Sequence, residues 1–309
     1  MSPQTLFYGV SALCLLPWVP VWAGLLVGAG WALAYGNPLP RFTRPGAKKL
    51  LAISIVGLGA GMNLEVVARA GLSGFGYTFL GIFGTLLLGW LFTRALRVPS
   101  QLGLLVSVGT AICGGSAIAA VAAVLDPPEE ETSLALATVF LLNACGLLIF
   151  PPLGHALGLD MRQFGLWAAL AIHDTSSVVG AAMQYGAEAL EVATTVKLAR
   201  ALWIVPLALG LAAWKHSSGS KKVTFPWFIL GFLLAAALVT YIPALKPAGE
   251  IVAWVAKRLM VVTLFWIGLG FSSSAIRKVG FRPIALGVGL WVIVGSLSLL
   301  AIRAGWVSL

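Results

Sequence analysis

Apolar runs that are long enough to cross a lipid bilayer recur along the whole sequence. A helix needs about 20 apolar residues to span the ~30 Å hydrocarbon layer. Continuous runs differ from the alternating apolar and polar positions of a transmembrane β-barrel. We therefore predict an all-α polytopic membrane protein with about 11 transmembrane helices. The runs lie near residues 5–19, 21–35, 50–68, 74–95, 101–124, 133–155, 163–186, 193–214, 226–243, 255–275 and 282–303.

The composition agrees with a chain that folds in lipid. Hydrophobic residues make up 60% of the sequence and charged residues 10%, whereas soluble proteins carry roughly 25% charged residues. The net charge is +10, but the basic residues lie in short connectors, so we predict a lipid bilayer and no nucleic acid as a partner. Cys14, Cys113 and Cys145 are isolated within apolar runs, which predicts no disulfide, no zinc site and no cofactor.

The charges of the connectors predict the orientation in the membrane. Lys and Arg accumulate in the cytoplasmic loops of membrane proteins. In this sequence they follow every second run, at residues 41–49, 94–97, 215–222 and 277–282. Acidic residues lie in the alternate connectors, and Lys257 with Arg258 is the exception to the pattern. We predict a cytoplasmic N-terminus and a C-terminus on the outside.

The sequence also contains a short motif that occurs twice. Residues 57–59 and 268–270 both read Gly-Leu-Gly, and each is followed by a connector and by a further apolar run that ends in Arg-Ala. We predict two repeats, residues 50–97 and 259–305, which run in opposite directions because an odd number of spans separates them. Inverted repeats are typical of secondary transporters, although small-residue matches also arise where membrane helices pack closely.

The fifth run contains small and polar residues where the middle of a helix is expected. Cys113, Gly114, Gly115 and Ser116 interrupt it, and Thr110 lies shortly before them. Adjacent glycines disfavour helix, and an opened helix frees amides that favour an anion and carbonyls that favour a cation. In lipid this is tolerated where the backbone lines a wet, protein-enclosed cavity. The alternative is a tight crossing in which the glycines let two helices touch.

A second polar segment lies in the middle of the seventh run. His173, Asp174, Thr175, Ser176 and Ser177 are consecutive, so they cannot all lie on one face of a helix. Ionisable groups at this depth cost about 2.5–3.5 kcal/mol or more on insertion scales. We predict a second interrupted helix that offers hydroxyls, a carboxylate and a titratable imidazole. The alternative is that His173 and Asp174 form a structural pair inside the bundle.

Four further polar residues are candidates for the same site. Lys197 and Arg200 are three residues apart and therefore share a helix face. Arg200 is the deeper of the two and is a candidate for anion binding, whereas we favour snorkelling towards the membrane surface for Lys197. Asn143 and Asn63 are second-tier candidates together with Thr110, because an Asn in a membrane helix also makes interhelical hydrogen bonds.

Four stretches are distinctive in combination: GTAICGGSAIAAV, ALATVFLLNACGLLIFPPLG, FGLWAALAIHDTSSVVGAA and VKLARALW. Together they resemble the YeiH family of bacterial inner-membrane proteins, which carries a sulfate-exporter label. The resemblance implies a place in the cation/proton antiporter and anion transporter superfamily, with inverted repeats, discontinuous helices and, often, homodimers. It also implies that the segments Cys113–Ser116 and His173–Ser177 are the characteristic part of the site.

These observations predict a secondary transporter and not an enzyme, built as a single membrane domain, residues 1–309, with its core at 101–214. The substrate is a small anion, either an inorganic oxyanion such as sulfate or a small carboxylate. H⁺ or Na⁺ is the coupling ion, and Na⁺ would lie near Asp174. No GxxxxGK[ST] motif occurs in the sequence, so ATP-driven pumping is not predicted.

Two alternatives stay open at this point. One is a cation/proton exchanger or channel built around Asp174, which would depend little on Arg200. The other is an intramembrane enzyme with Ser176 or Cys113 as the nucleophile and His173 as the base.

Overall fold

The computed structural model describes residues 3–214, 227–271 and 280–307, in which every regular element is a helix. Their order is α1 (Pro3–Leu13), α2 (Val21–Tyr35), α3 (Pro40–Gly59), α4 (Leu64–Ala95), α5 (Ser100–Ala111), α6 (Gly115–Leu125), α7 (Glu129–Ala156), α8 (Met161–Ala171), α9 (Thr175–Tyr185), α10 (Ala187–Ala201), α11 (Ile204–Trp214), α12 (Trp227–Tyr241), α13 (Lys246–Gly268) and α14 (Phe281–Arg303).

The helices confirm an all-α, multi-pass membrane protein. Five stretches of the described chain are long and apolar enough to cross a membrane, namely 76–95, 129–156, 187–211, 243–268 and 281–303. The apolar helices α2, α5 and α12 are shorter. The number of eleven spans and the inverted orientation of the repeats stay predictions.

The chain divides into two compact units. Unit 1 comprises Met1–Ala68 and Pro226–Ser273, and unit 2 comprises Arg69–Phe225 and Ser274–Leu309. The predicted core at 101–214 and both interrupted runs belong to unit 2.

Unit 1 is assembled around α13, which packs against α2 and α3, while α12 packs against α3. The contact between α2 and α13 is made by backbone atoms at two glycines. A Cβ atom built on Gly28 would lie 2.1 Å from the carbonyl oxygen of Phe265, and one on Gly268 would lie 2.5 Å from that of Leu25. Small residues at these positions allow the two helices to approach closely, as membrane helix pairs commonly do.

Unit 2 places α7 and α10 among the short helices. α7 packs against α5 and α9, α10 packs against α8 and α9, and α14 packs against α5 and α8. α7 begins at Glu129, in the acidic connector that precedes the sixth run, because carboxylates favour the amino end of a helix. The Glu131 carboxylate also accepts a hydrogen bond from the amide of Leu102 at 2.7 Å.

Several boundaries differ from those predicted. The first run, 5–19, is helical only to Leu13. The third, 50–68, ends at Gly59, and α4 then continues as helix through the predicted connector at 69–73. The reason is a cap: the Asn63 side chain accepts from the Glu65 amide at 2.8 Å and starts α4 there.

Candidate functional site

The first interruption separates α5 from α6 at residues 112–114. Ile112 leaves the helical region with φ −119° and ψ −85°. Gly114 follows with φ 69° and ψ −129°, a conformation that strains residues with a Cβ atom and that glycine adopts readily. The Gly114 amide donates to the carbonyl of Gly109 at 2.8 Å, so the regular hydrogen-bond ladder is broken here. This interruption was predicted from the glycine pair.

The second interruption separates α8 from α9 at residues 172–174, also as predicted. Ile172 and Asp174 are both extended, with ψ values of 130° and 144°. Asp174 is the N-cap of α9: its Oδ2 accepts from the amides of Ser176 at 3.0 Å and Ser177 at 3.4 Å, and from the Ser176 hydroxyl. A carboxylate N-cap satisfies free amides and complements the positive end of the helix.

The two interruptions touch each other. A Cβ atom built on Gly114 would lie 3.1 Å from the Cβ of Asp174 and 3.3 Å from its Oδ1. Beside this contact the Thr110 hydroxyl lies 3.5 Å from Nδ1 of His173. Thr110 donates its own proton to the carbonyl of Val106, so the Thr110 oxygen is left to accept and the proton between them belongs on Nδ1 of His173.

Asn143, on α7, joins the second interruption to the bundle. Its side-chain Oδ1 accepts from the backbone amides of His173 and Asp174, both at 3.1 Å. These two amides have left the helix, so Asn143 supplies the acceptor that a helical carbonyl would otherwise provide. The predicted interhelical hydrogen bond of Asn143 is therefore present, at the centre of the site.

Two cations from α10 bind the carbonyl ends of α5 and α8. Lys197 Nζ donates to the carbonyls of Ile172 at 2.7 Å and Ala169 at 3.3 Å. Arg200 Nη1 donates to Leu170 at 2.8 Å, and its Nε donates to Ala111 at the end of α5. Carbonyl ends carry the negative pole of the helix dipole, so the two side chains neutralise both interrupted ends.

Snorkelling of Lys197, which the sequence favours, is wrong. The side chains of Lys197 and Arg200 are 0% and 1% exposed, and their donor atoms point to backbone inside unit 2. An amphipathic side chain snorkels when water is its best partner. Here the carbonyls freed at the interruptions are closer partners.

The remaining predicted residues differ in where they lie. Cys113, His173, Thr175, Ser176 and Ser177 are buried at the interruptions. Ser116 is exposed, and Gly115 packs against α7, where a Cβ atom would lie 2.9 Å from the Phe140 ring.

Asn63 belongs to unit 1, where it is exposed and caps α4. The structure therefore gives Asn63 a local structural contact and does not group it with the other candidates.

Metal binding by a side-chain cluster finds no support in the described residues. They contain no group of three or more His, Cys, Asp and Glu side chains placed to hold a metal ion. The Asp174 carboxylate is the acidic group at the interruptions, and its Oδ2 is engaged in the cap.

A family model described as conserved hypothetical protein 698 matches residues 20–287. The chain belongs to the UPF0324 family. This is the YeiH family that the sequence motifs resemble. No solved structure matches the chain.

Among UPF0324 relatives, a membrane protein of Bdellovibrio bacteriovorus is 55% identical over 302 residues, which cover 96% of this chain and 93% of that protein. A membrane protein of Geobacter sulfurreducens is 46% identical over 295 residues, covering 96% and 94%. A third, from Photobacterium profundum, is 48% identical over 294 residues, covering 95% and 90%. All three are named only as membrane proteins of this family.

Some features of this UPF0324 site were missed in the sequence. The carbonyls of Ala111, Leu170 and Ile172 take part through the backbone, so no residue type indicates them. Thr194 and Thr195, on α10, are buried, and their hydroxyls have no hydrogen-bond partner among the described residues. They lie three and two residues before Lys197 on the same helix, and this proximity is the signal that could have singled them out.

Proposed function

We propose that the protein is a secondary active transporter of a small anion, an inorganic oxyanion such as sulfate or a small carboxylate, coupled to H⁺ or Na⁺. The observation that carries the proposal is the pair of buried basic side chains, Lys197 and Arg200, on the carbonyl ends of the two interrupted helices. Discontinuous membrane helices place substrate and coupling-ion sites at their free ends in secondary transporters.

An anion is favoured over a cation as the main substrate, because the freed carbonyls that would bind a cation are already occupied. A cation site at a broken helix uses freed carbonyls, and those of Ala111, Leu170 and Ile172 already accept hydrogen bonds from α10. The opposite ends are the amino ends of α6 and α9, where backbone amides and the helix dipole favour negative charge.

A cation/proton exchanger is the second candidate, because Asp174 supplies a carboxylate that is more exposed than the buried Lys197 and Arg200. Its flux would consist of Na⁺ or H⁺ without an anion. An enzyme is disfavoured because the Ser176 hydroxyl donates to Asp174 and the His173 ring contacts Thr110. A nucleophile activated by a His base would instead donate to that His.

The proposal also includes the membrane location, the orientation and the oligomeric state of the protein. We place it in the bacterial inner membrane with a cytoplasmic N-terminus and an outside C-terminus, without a cofactor and as a homodimer. The Gly-Leu-Gly segments support the inverted repeats, since α3 ends at Gly59 and α13 ends at Gly268. The equivalent second helices, α4 and α14, end at Ala95 and Arg303.

The test is uptake into proteoliposomes that contain the purified protein. Sulfate, sulfite, thiosulfate and acetate are offered one at a time under an imposed pH or Na⁺ gradient, and Na⁺ flux is followed in parallel. We expect gradient-driven uptake of at least one anion, reduced in His173→Ala and Ser116→Ala. Ser298→Ala is the matched control, since its hydroxyl donates to Gly295 within α14. Na⁺ flux without anion uptake, or full activity in both site variants, would contradict the proposal.

A further inference from the structure

The two interruptions create four free helix ends, and their caps differ. Arg200 binds the carbonyl end of α5, and Lys197 and Arg200 bind that of α8. Asp174 caps the amino end of α9. The amino end of α6 begins at Gly114, which has no side chain and provides no side-chain hydrogen bond to the helix. In this turn the Ala117 amide is hydrogen-bonded to the Cys113 sulfur, and the amides of Gly115 and Ser116 are the ones available to an external anion.

A buried amide donor lies on α7, one turn from the residue that contacts this amino end. Asn143 follows Phe140 by three residues on α7 and so shares its face, and Phe140 contacts Gly115 at the start of α6. Asn143 is 3% exposed, and its Nδ2 has no hydrogen-bond partner among the described residues. Its Oδ1 accepts hydrogen bonds from the amides of His173 and Asp174, and these fix the orientation of the side chain. Nδ2 is therefore an unpaired hydrogen-bond donor.

The amino end of α6 is exposed on one side and lies beside a carboxylate on another. Ser116, in the first turn of α6, is exposed. A Cβ atom on Gly114 would lie 3.3 Å from Oδ1 of Asp174. An anion bound at the α6 end would therefore lie close to a second negative charge, and like charges brought together cost several kcal/mol. Protonation of Asp174 removes that repulsion.

Other ionisable groups surround Asp174. His173 precedes it, Cys113 lies in the first interruption, and α10 contributes Lys197 and Arg200; α7 contributes the uncharged Asn143. Lys197 Nζ and the Nε and Nη1 atoms of Arg200 donate to carbonyls, whereas Arg200 Nη2 and His173 Nε2 have no hydrogen-bond partner among the described residues. Asp174 is the acidic group beside the α6 end.

We propose that a small oxyanion binds at the amino end of α6 with the Asn143 amide as a donor, and that Asp174 takes up one proton when the anion binds. The inference rests on the proposed function and refines it, because it assigns the subsite and names H⁺ as the coupling ion. Anion and proton would then cross the membrane together.

The subsite is tested by adding a competing charge. Ser116→Asp places a carboxylate in the first turn of α6, where an acid stabilises the helix. We expect binding of radiolabelled sulfate and acetate to the purified full-length protein to weaken at least about tenfold, given the cost of like charges in contact, with an unchanged melting temperature. Gln163→Glu is the matched control, because it adds one charge to the first turn of α8 and keeps the capping box with Asp160. Equal binding in Ser116→Asp and wild type would overturn the subsite.

The coupling is tested by the pH dependence of sulfate binding. Sulfate keeps its charge near neutral pH, so the affinity of wild type should fall by up to about tenfold per pH unit as Asp174 ionises. Asp174→Asn keeps a good N-cap residue and should bind sulfate with no pH dependence over the same range. It should also exchange sulfate across liposomes without accumulating it under a pH gradient.

The outcomes separate this inference from the proposed function. A pH dependence that survives in Asp174→Asn, or sulfate binding that is lost in it, overturns the coupling role while transport by wild type still stands. If wild type transports none of the anions, the proposed function fails and the subsite fails with it.

Discussion

Gly114 holds a backbone conformation that only glycine adopts without strain, at the point where the two interruptions touch. Its φ of 69° lies in the left-handed region, which costs other residues roughly 1–2 kcal/mol. An added Cβ atom would also lie 3.1 Å from the side chain of Asp174. The geometry of the site therefore depends on the absence of one methyl group.

We expect Gly114→Ala to lower stability by about 2–3 kcal/mol, which is the sum of the backbone strain and some overpacking. The measurement is thermal denaturation of the purified protein in detergent. Gly84→Ala is the control, because Gly84 lies within α4 and has no atom within 4 Å of an added Cβ. A melting temperature for Gly114→Ala that equals the control would show that this conformation is not constrained.

Lys197 gives a second prediction at this scale. Lys197→Met keeps much of the side-chain volume but leaves the carbonyls of Ile172 and Ala169 without their donor. An unsatisfied buried polar group costs roughly 1–3 kcal/mol, so we expect a clear loss of thermal stability. Lys246→Met, at an exposed lysine, should change the melting temperature little. Similar melting temperatures in the two variants would argue against a structural role for the ammonium.

These residues also show which parts of the site can be predicted from the sequence. The glycine pair and the run of polar residues marked both interruptions, because each breaks an apolar helix in a way that composition reveals. The partners of Lys197 and Arg200 could not be predicted, since backbone carbonyls exist at every residue. Only the folded chain determines which of them are left without a helical donor, and this is why snorkelling was the wrong expectation for Lys197.

At the scale of the elements, helix ends depended on local caps more than on the length of apolar runs. The long apolar helices α7 and α14 were predicted nearly as they are found, whereas Asn63 starts α4 well before the apolar run that it carries. Charge and hydropathy average over many residues, and a cap acts through one hydrogen bond. The start of α4 at Leu64 is therefore a boundary that hydropathy did not predict.

Close packing between α2 and α13 gives a prediction at the same scale. Gly28→Ala would place a Cβ atom 2.1 Å from the backbone oxygen of Phe265, so the helices must separate. Overpacking typically costs about 1–3 kcal/mol, and we expect a loss of this order on thermal denaturation. Gly30→Ala, on the same helix, meets no atom within 4 Å and should be neutral or slightly stabilising. A neutral Gly28→Ala would indicate that the two helices have room to move.

At the scale of the whole molecule, the alternating connector charges predict which loops lie on which side of the membrane. In a background with Cys14, Cys113 and Cys145 replaced by alanine, Glu130→Cys should react with a membrane-impermeant maleimide in right-side-out vesicles. Arg41→Cys should react only after permeabilisation, because basic connectors lie on the cytoplasmic side. Both positions are exposed. Labelling of both from the same side would contradict the predicted topology.

The ions that neutralise three of the interrupted ends are parts of the chain and cannot diffuse away. In the proposed transporter, Asp174, Lys197 and Arg200 remain on their helix ends when the anion dissociates, so release leaves these three dipoles compensated. The amino end of α6 is the one interrupted end without a charge of its own when no anion is bound, so reorientation of the unloaded protein exposes one uncompensated dipole and not four. We expect net flux into liposomes that contain no substrate, at a rate comparable to that of exchange between filled compartments.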